Sequence, residues 1–207
     1  MNETQSMIST IKRKGVTNQK VLLAMSQINR KIFVLDSSKN LAYSDLALPI
    51  GESQTISQPY MVAKMLELLN INSIDKVLEI GSGSGYVCAI LSKLAKKVIG
   101  IEIIKELSIQ SKKNLKQHKI SNVTILHNDG SEGLIQGYPY DKILISAATP
   151  KIIPQLIDQL KIGGILLAPI GDRMHQTLTK ITKTKEGYKK ELFDACMFVP
   201  LKGKQGF

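Results

Sequence analysis

The chain has 207 residues, of which 43% are hydrophobic and 22% charged, and it carries a formal net charge of +11 at pH 7. This composition predicts a globular protein with one main α/β core and excludes a disordered chain, and no apolar run approaches the roughly 20 residues that a membrane-spanning helix needs. The lysines are scattered with little aromatic interleaving, so a solvated basic surface is favoured over a nucleic-acid groove.

The amino-terminal part of the chain predicts an amphipathic helical extension, because Met7 and Ile11 share a helix face, Gly15 breaks the pattern, and the pattern then resumes. The first residues lack the basic-then-apolar pattern of a signal peptide, so we expect a cytoplasmic protein. Residues 36–59 show no regular period. Irregular stretches of this length inside a compact domain are usually functional, and we expect a functional loop here.

The core begins with a predicted helix over Tyr60–Leu69, with Pro59 in its first turn. A strand, a glycine-rich turn, a helix and a second strand follow at residues 76–80, 81–85, 86–94 and 97–103. This unit is typical of nucleotide-binding α/β folds, because the turn lets a ligand approach the backbone at the amino terminus of a helix. The G-x-G-x-G spacing, with Glu79 two residues before the first glycine, favours S-adenosylmethionine over NAD.

Two carboxylates accompany this turn. Glu102 lies about 20 residues after the glycines, where an acid can accept hydrogen bonds from two ribose hydroxyls, although it could also be an ordinary acid at a strand end. Glu79 has two equally supported interpretations, a cofactor contact or a cap on the amides of the turn. The other candidate cofactor contacts of this unit are Gly81, Ser82, Gly83, Gly85 and Ile103.

The rest of the chain continues the alternation of helices and strands. We predict helices over 105–118 and 152–160, strands over 122–127, 140–147 and 165–170 with Gly163-Gly164 ending the second helix, and a hairpin of strands 176–184 and 188–199. The predicted fold is α/β, with a doubly wound, mostly parallel seven-stranded sheet of Rossmann-like type, an antiparallel carboxy-terminal hairpin and an amino-terminal helical extension. We expect one compact domain, divided into residues 1–59 with the loop and residues 60–207 with the cofactor-binding core.

In an open parallel sheet the carboxyl ends of the strands line the ligand crevice, so Gly81, Glu102, Asp129 and Ser146 are expected to converge there. Asp129 could accept the amino group of an adenine, or form a turn with Gly130, and the two roles are compatible. Asp129 and Gly130 are both candidate cofactor contacts. The three histidines and two cysteines show no metal-ligand spacing. We therefore expect no metal site.

Several segments carry a resemblance to a known family. They are the RKIFV run at 30–34, ALPIG at 47–51, QTISQPYMV at 54–62, VLEIGSGSGY at 77–86, NDG at 128–130, AA at 147–148, GG at 163–164 and FVPL at 198–201. Through these segments the chain closely resembles the protein-L-isoaspartate (D-aspartate) O-methyltransferase family along nearly its whole length. The specific part is TISQPY at 55–60, since a glycine turn is shared by most methyltransferases.

The resemblance implies transfer of a methyl group from S-adenosyl-L-methionine, with S-adenosyl-L-homocysteine as product, to the free α-carboxylate of L-isoaspartyl residues in damaged proteins. Whether D-aspartyl residues are also methylated stays open. It implies that Ser57 is the active-site hydroxyl, although the residues alone favour a helix-capping role. Thr55 and Ile56 are implied substrate contacts beside it. The carboxy-terminal residues implied to cover the bound peptide are Val199, Pro200 and Leu201.

Two departures from the family pattern stand out. Asn29 replaces a usual proline, and Ser53 replaces a usual glycine two residues after Gly51. A serine there could stiffen the substrate loop, so substrate affinity is the property that it puts in doubt. Residues 203–207 match the family poorly and receive no role.

Two rival functions remain. A methyltransferase of the same fold acting on nucleic acid or a small metabolite is opposed by SAATP at 146–150, where an Asn/Asp-Pro-Pro-aromatic sequence is absent. A binding module without catalysis is opposed by Ser57 and the intact loop. The expected partners are isoaspartyl-containing proteins and peptides, without nucleic acid or membrane, and the expected state is a monomer.

Overall fold

The structure, a computed structural model, describes residues 2–207. Its α-helices are α1 Glu3–Arg13, α2 Gln19–Ser26, α3 Pro59–Leu69, α4 Tyr86–Leu91, α5 Lys105–Gln117 and α6 Pro154–Asp158. Its strands are β1 Leu48–Gly51, β2 Gln54–Ile56, β3 Lys76–Ile80, β4 Lys97–Glu102, β5 Val123–His127, β6 Tyr140–Ile145, β7 Leu160–Gly171, β8 Gln176–Lys183 and β9 Tyr188–Cys196. Short 3-10 helices lie at Arg30–Phe33, Asp36–Leu41 and Ile135–Gly137.

Seven strands form one sheet in the order β5-β4-β3-β6-β7-β8-β9. The first five are parallel, and β8 and β9 are antiparallel to their neighbours. The chain moves outward from β3 in both directions, so β3 and β6 meet at the point where the strand order reverses, and ligands of such sheets bind there. The predicted α/β fold with its antiparallel carboxy-terminal hairpin is confirmed.

The amino-terminal helices form part of the main core. Asn2 caps α1 through a reciprocal pair of bonds with Gln5, and Asn18 caps α2. Met7 and Ile11 of α1 are buried in the same hydrophobic cluster as Leu66 of α3 and residues of the sheet. The predicted helical extension is therefore present and is packed onto the sheet through α3.

The segment from residue 36 to 59 is more regular than expected. It contains the 3-10 helix Asp36–Leu41 and a two-stranded hairpin in which Leu48 of β1 pairs with Ile56 of β2. Strands of three or four residues are too short to show a period in the sequence, which explains the miss. The hairpin turn places Ser53 at φ 56°, a left-handed conformation that favours glycine. Ser53 therefore introduces backbone strain into this turn.

Several element boundaries also differ from expectation: strand β6 ends at Ile145 rather than at residue 147, and β7 runs over Leu160–Gly171 rather than over 165–170. Helix α4 ends at Leu91 rather than at residue 94. Helix α6 ends at Asp158, because the Gln159 carbonyl accepts the Tyr140 N–H at 2.9 Å and the chain then continues as β7. The glycine pair 163–164 thus lies inside β7, in a bulge where the register shifts, and does not end a helix.

The strand predicted over 188–199 stops at Cys196, and an irregular carboxy-terminal segment, residues 197–207, follows. In the part of the chain that the structure describes, no helix is both long and apolar enough to cross a membrane. The same part contains no group of three or more His, Cys, Asp or Glu side chains arranged to hold a metal ion.

Candidate active site

The glycine-rich turn joins β3 to α4 in a conformation that needs glycine. Gly81, Gly83 and Gly85 have φ of 79°, 53° and 86°, where a Cβ atom causes strain. The N–H groups of Gly81 and Ser82 donate to the carbonyl of Ile101 at 2.9 and 3.1 Å. These bonds hold the turn against the end of β4 and bring its backbone to the crevice at the carboxyl ends of the strands.

Glu102 ends β4 and faces the same crevice. Its side chain is almost wholly buried, with the residue 5% exposed. One carboxylate oxygen accepts the N–H of Gly83 at 2.7 Å, and the other accepts the N–H of Ile104 at 2.9 Å. A carboxylate has about four acceptor positions, so about two remain. They are enough to accept both hydroxyls of a ribose, and the site therefore fits an adenosine-type ligand.

A cleft, here called the first cleft, lies between this turn, the hairpin β1–β2 and the carboxy-terminal segment. Its lining residues are Ile50, Gln54, Thr55, Ile80, Gly81, Gly83, Ile101, Glu102, Ile103, Ile104, Gly130, Ser146, Ala147, Val199, Pro200, Leu201 and Lys202. Most of this wall is apolar or backbone, with Glu102 as its one carboxylate among these residues. Such a lining suits a nucleoside with an apolar face.

Five of the nine predicted cofactor contacts line the first cleft, namely Gly81, Gly83, Glu102, Ile103 and Gly130. The other four do not line it, namely Glu79, Ser82, Gly85 and Asp129. Gly85 faces α5, where a Cβ would come within 3.1 Å of the Ser111 Cβ. The Ser82 hydroxyl is buried without a hydrogen-bond partner among residues 2–207.

Glu79 lies beneath the crevice and is 1% exposed. Its two carboxylate oxygens accept hydrogen bonds from the Cys88 thiol at 2.8 Å and from the Ser146 hydroxyl at 2.7 Å. Burial raises the pKa of Glu79 from 4.5 to about 7, although these two hydrogen bonds act to lower it. The side chain thus joins β3, α4 and the end of β6 and does not reach the cleft.

This buried acid makes the stability of the fold dependent on pH. Because the pKa of Glu79 is higher in the folded state, the folded protein holds a proton that the unfolded chain loses, and stability falls between about pH 4.5 and about pH 7. We expect this loss to be roughly 3 kcal/mol. Chemical denaturation at several pH values measures the free energy of unfolding of wild type and of Glu79→Gln. The loss should appear in wild type and be absent in Glu79→Gln, so the difference between the two proteins should change with pH. A difference that stays constant with pH would contradict the assignment.

Asp129 holds the carboxy-terminal segment in place. Its two oxygens accept the N–H of Ser131 at 2.8 Å and the N–H of Lys204 at 2.9 Å. Gly203 passes so close that a Cβ there would meet the Asp129 carboxylate at 2.2 Å. Asp129 is therefore a docking point for residues 203–207, which have no role predicted from the sequence.

The carboxy-terminal segment crosses the site. Leu201 donates its N–H to the Ala148 carbonyl, just after β6, at 2.7 Å, and Gln205 donates its N–H to the Ser131 hydroxyl, just after β5, at 3.1 Å. Since β4 and β3 lie between β5 and β6 in the sheet, the segment passes over the ends of both central strands. It forms one wall of the first cleft.

A second cleft adjoins the first and contains Ser57. Its lining residues are Ala47, Thr55, Ser57, Gln58, Met61, Ser146, Met174, His175, Gln176, Thr177, Ala195, Cys196, Met197, Phe198 and Val199. Thr55, Ser146 and Val199 line both clefts. The hydroxyl of Ser57 takes part in no hydrogen bond within residues 2–207, so it is free to meet a ligand.

Five of the six predicted substrate contacts line one or both clefts. Thr55, Ser57 and Val199 line the second cleft, whereas Pro200 and Leu201 line the first. Ile56 is buried in the core, because it alternates with its neighbours along β2.

Several residues that line the clefts are absent from the site contacts predicted from the sequence. Ser146 carried a signal, since its place at a strand end predicted convergence with the glycine turn. Phe198 carried a signal only as part of the FVPL segment of the family resemblance. Lys202 and Met174 carried none, because they reach the clefts only through the antiparallel strands and the crossing of the carboxy-terminal segment.

Comparison with known proteins gives a consistent assignment. The model of the family described as "Protein-L-isoaspartate(D-aspartate) O-methyltransferase (PCMT)" matches residues 2–206. A protein named protein-L-isoaspartate O-methyltransferase from Dictyoglomus turgidum is 47% identical over 203 residues, covering 98% of this chain and 92% of that protein. A protein of the same name from Methanospirillum hungatei is 45% identical over 208 residues, covering 100% and 96%.

Solved structures agree. A Plasmodium falciparum chain given the name beta-aspartate methyltransferase (PCMT), in complex with S-adenosyl-L-homocysteine, superposes with a TM-score of 0.83 at 28% identity, covering 98% of this chain and 99% of that one. Together with the family match over nearly the whole length, these relatives show that the chain belongs to the protein-L-isoaspartate(D-aspartate) O-methyltransferase family.

Proposed function

We propose that the chain is a protein-L-isoaspartate O-methyltransferase, which methylates the free α-carboxylate of L-isoaspartyl residues in damaged proteins and so initiates their repair. The observation that carries the proposal is the pair of adjoining clefts, one with the glycine turn and Glu102, the other with Ser57, and with Thr55, Ser146 and Val199 common to both. Two ligands bound in these clefts would be direct neighbours.

The first cleft is the proposed site of the methyl donor. S-adenosyl-L-methionine supplies an electrophilic methyl group when it is bound. Glu102 has the acceptor positions to hold two ribose hydroxyls, and Gly81 and Gly83 allow close approach of the backbone. We assign Ile103 and Gly130 to contacts with the adenine.

The other predicted cofactor residues have a supporting role in this proposal. Glu79, Ser82, Gly85 and Asp129 shape the turn and the strand ends, because their side chains or backbone face neighbouring elements rather than the first cleft.

The second cleft is the proposed site of the isoaspartyl segment. A carboxylate with an ordinary pKa near about 3.9 is already ionised at neutral pH, so the acceptor oxygen needs no general base. The protein has to align the two ligands and exclude water, and orientation alone can supply about 7–11 kcal/mol of the barrier. We assign Ser57 to donate a hydrogen bond to the acceptor carboxylate, with Thr55 and Val199 beside it.

The remaining predicted substrate residues, Pro200, Leu201 and Ile56, lie around Ser57, Thr55 and Val199. Pro200 and Leu201 close the boundary with the donor, since Leu201 is fixed to Ala148. Ile56 supports the hairpin from the core and positions its two neighbours.

A labelled methyl-transfer assay tests the function. The chain should transfer radiolabelled methyl groups from S-adenosyl-L-methionine to a peptide with one isoaspartyl residue, and should leave the aspartyl peptide of the same sequence unlabelled. Equal labelling of both peptides, or labelling only of RNA or a metabolite mixture, would rule out the repair activity. Binding of the donor without any transfer would favour the binding module.

The proposal extends to partners and compartment. We infer a monomer in the cytoplasm that uses neither nucleic acid nor a membrane as partner. The free thiols of Cys88 and Cys196 support a reducing compartment.

We also propose a division of the chain at residue 59, because the hairpin and its flanking segment supply Ser57 while the later part supplies the glycine turn and Glu102.

A further inference from the structure

Arg30, the first residue of the 3-10 helix Arg30–Phe33, is fully buried, with 0% of the residue exposed. Its Nε donates to the carbonyl of Ala42 at 2.8 Å, and its Nη2 donates to the carbonyl of Ser57 at 2.8 Å. The guanidinium lies 4.6 Å from the ring centroid of Tyr86. The arginine therefore contacts the backbone of the proposed active-site serine directly.

A cation in this place is costly. Burial lowers the pKa of Arg30 from its ordinary value, and no salt bridge to it forms among residues 2–207. Nη1 also has no hydrogen-bond partner in that range. An apolar side chain would fill the same volume without desolvating a charge, so packing alone does not account for an arginine here.

The start of α3 is held by residues distant in the sequence, because the Asp45 carboxylate accepts the N–H of Tyr60 in its first turn at 2.8 Å. Ser57 precedes Gln58, the N-cap of α3, and the side chain of Gln58 makes no capping bond. The peptide unit that follows Ser57 is held separately by Arg30, whose planar guanidinium has a fixed donor geometry and donates to the Ser57 carbonyl. This peptide unit is attached to the Ser57 Cα, so the bond restrains the backbone from which the Ser57 side chain extends.

Arg30 also contacts the other half of the site. Tyr86 is the first residue of α4 and follows Gly85 directly, so the stacked guanidinium rests on the end of the glycine turn. One side chain thus links the segment carrying Ser57 to the helix that begins at the proposed donor site.

We propose that Arg30 is a positioning residue that fixes Ser57 relative to the glycine turn, and thereby aligns the acceptor carboxylate with the methyl donor. The inference rests on the proposed function. It assigns Arg30 no contact with either ligand. Loss of the Arg30 guanidinium should therefore move Ser57 rather than remove a contact with the donor.

The first test compares Arg30→Lys and Arg30→Met with Lys31→Met, the matched loss of a partly exposed cation on the same 3-10 helix. Misplacement by about 1 Å can cost about 100-fold in rate, so both Arg30 variants should lose kcat on an isoaspartyl peptide by about that factor. Their Kd for S-adenosyl-L-homocysteine should stay within about threefold of wild type, because the Glu102 contacts are intact. Lys31→Met should change neither quantity. Should Arg30→Met fail to fold, Arg30→Lys decides the comparison.

The second test asks whether Arg30 acts through Ser57. In a Ser57→Ala background, Arg30→Lys should cost little further rate, since residues that act as a unit are not additive. Losses that multiply in the double variant, or kcat of Arg30→Lys within about twofold of wild type, would overturn the inference. Wild type must first label the isoaspartyl peptide. Its failure to do so would refute the proposed function itself, which separates the two outcomes.

Discussion

Replacing Ser57 with alanine is expected to lower kcat for methylation of an isoaspartyl peptide about 100-fold, the usual scale for removing one aligned hydrogen-bond donor. Ser57 lines the second cleft, and its hydroxyl is not used by any other group in residues 2–207. Its loss should therefore leave the acceptor carboxylate ionised but poorly oriented. Since Ser57 does not line the first cleft, affinity for S-adenosyl-L-homocysteine should stay unchanged.

The measurement combines steady-state methylation kinetics with calorimetric titration of S-adenosyl-L-homocysteine. Ser73→Ala is a suitable control, because Ser73 is an exposed serine just before β3, at the opposite end of that strand from the clefts. It should behave like wild type in both assays. A Ser57→Ala variant whose donor affinity falls as much as its rate would show that the serine belongs to the donor site.

Replacing Glu102 with alanine should have the opposite effect: it should weaken binding of S-adenosyl-L-homocysteine and change kcat at saturating donor little. A hydrogen bond to a charged group is worth about 1.5–3 kcal/mol, so loss of two such bonds to ribose hydroxyls should raise the Kd for S-adenosyl-L-homocysteine at least about 100-fold. The bonds that Glu102 accepts from Gly83 and Ile104 would be lost as well, which loosens the turn. Glu102→Gln keeps the shape and part of the acceptor capacity, and should fall between alanine and wild type.

Calorimetric titration measures this effect, and kcat at saturating donor completes the comparison. Glu106→Ala is the matched control, since Glu106 is an exposed acid four residues later in the first turn of α5. It should retain wild-type affinity. An unchanged Kd in Glu102→Ala would remove Glu102 from the donor site, whereas a large fall in kcat at saturating donor would place it closer to the reacting atoms.

Topology was largely readable from local patterns. The apolar strands, the glycine turn and the intervening helices predicted the parallel sheet and its reversed edge, because each long element buries one face with its own period. The hairpin β1–β2 was missed, since its strands are short and its turn contains Glu52 and Ser53 rather than Asn-Gly. The glycine pair 163–164 matches the pattern of a helix stop, although it lies in a bulge within β7.

Site prediction was limited by side-chain direction. Glu79 and Glu102 both lie in the last two residues of parallel strands beside the glycine turn, yet only Glu102 faces the first cleft. Glu79 points into the protein, toward Cys88 and Ser146. In the same way Asp129 turns toward the carboxy-terminal segment and leaves Gly130 at the cleft. Neighbours distant in sequence decide these orientations.

The sequence by itself determined the family, the kind of cofactor and the strand ends at which the site is proposed, because these depend on residue types at short spacing. Only the tertiary structure decided that the clefts with Gly81 and Ser57 adjoin, that residues 203–207 dock on Asp129, and that Arg30 reaches the Ser57 carbonyl. Such contacts join residues 27 to 75 positions apart. They arise when helices and loops pack on the sheet, and no local pattern encodes them.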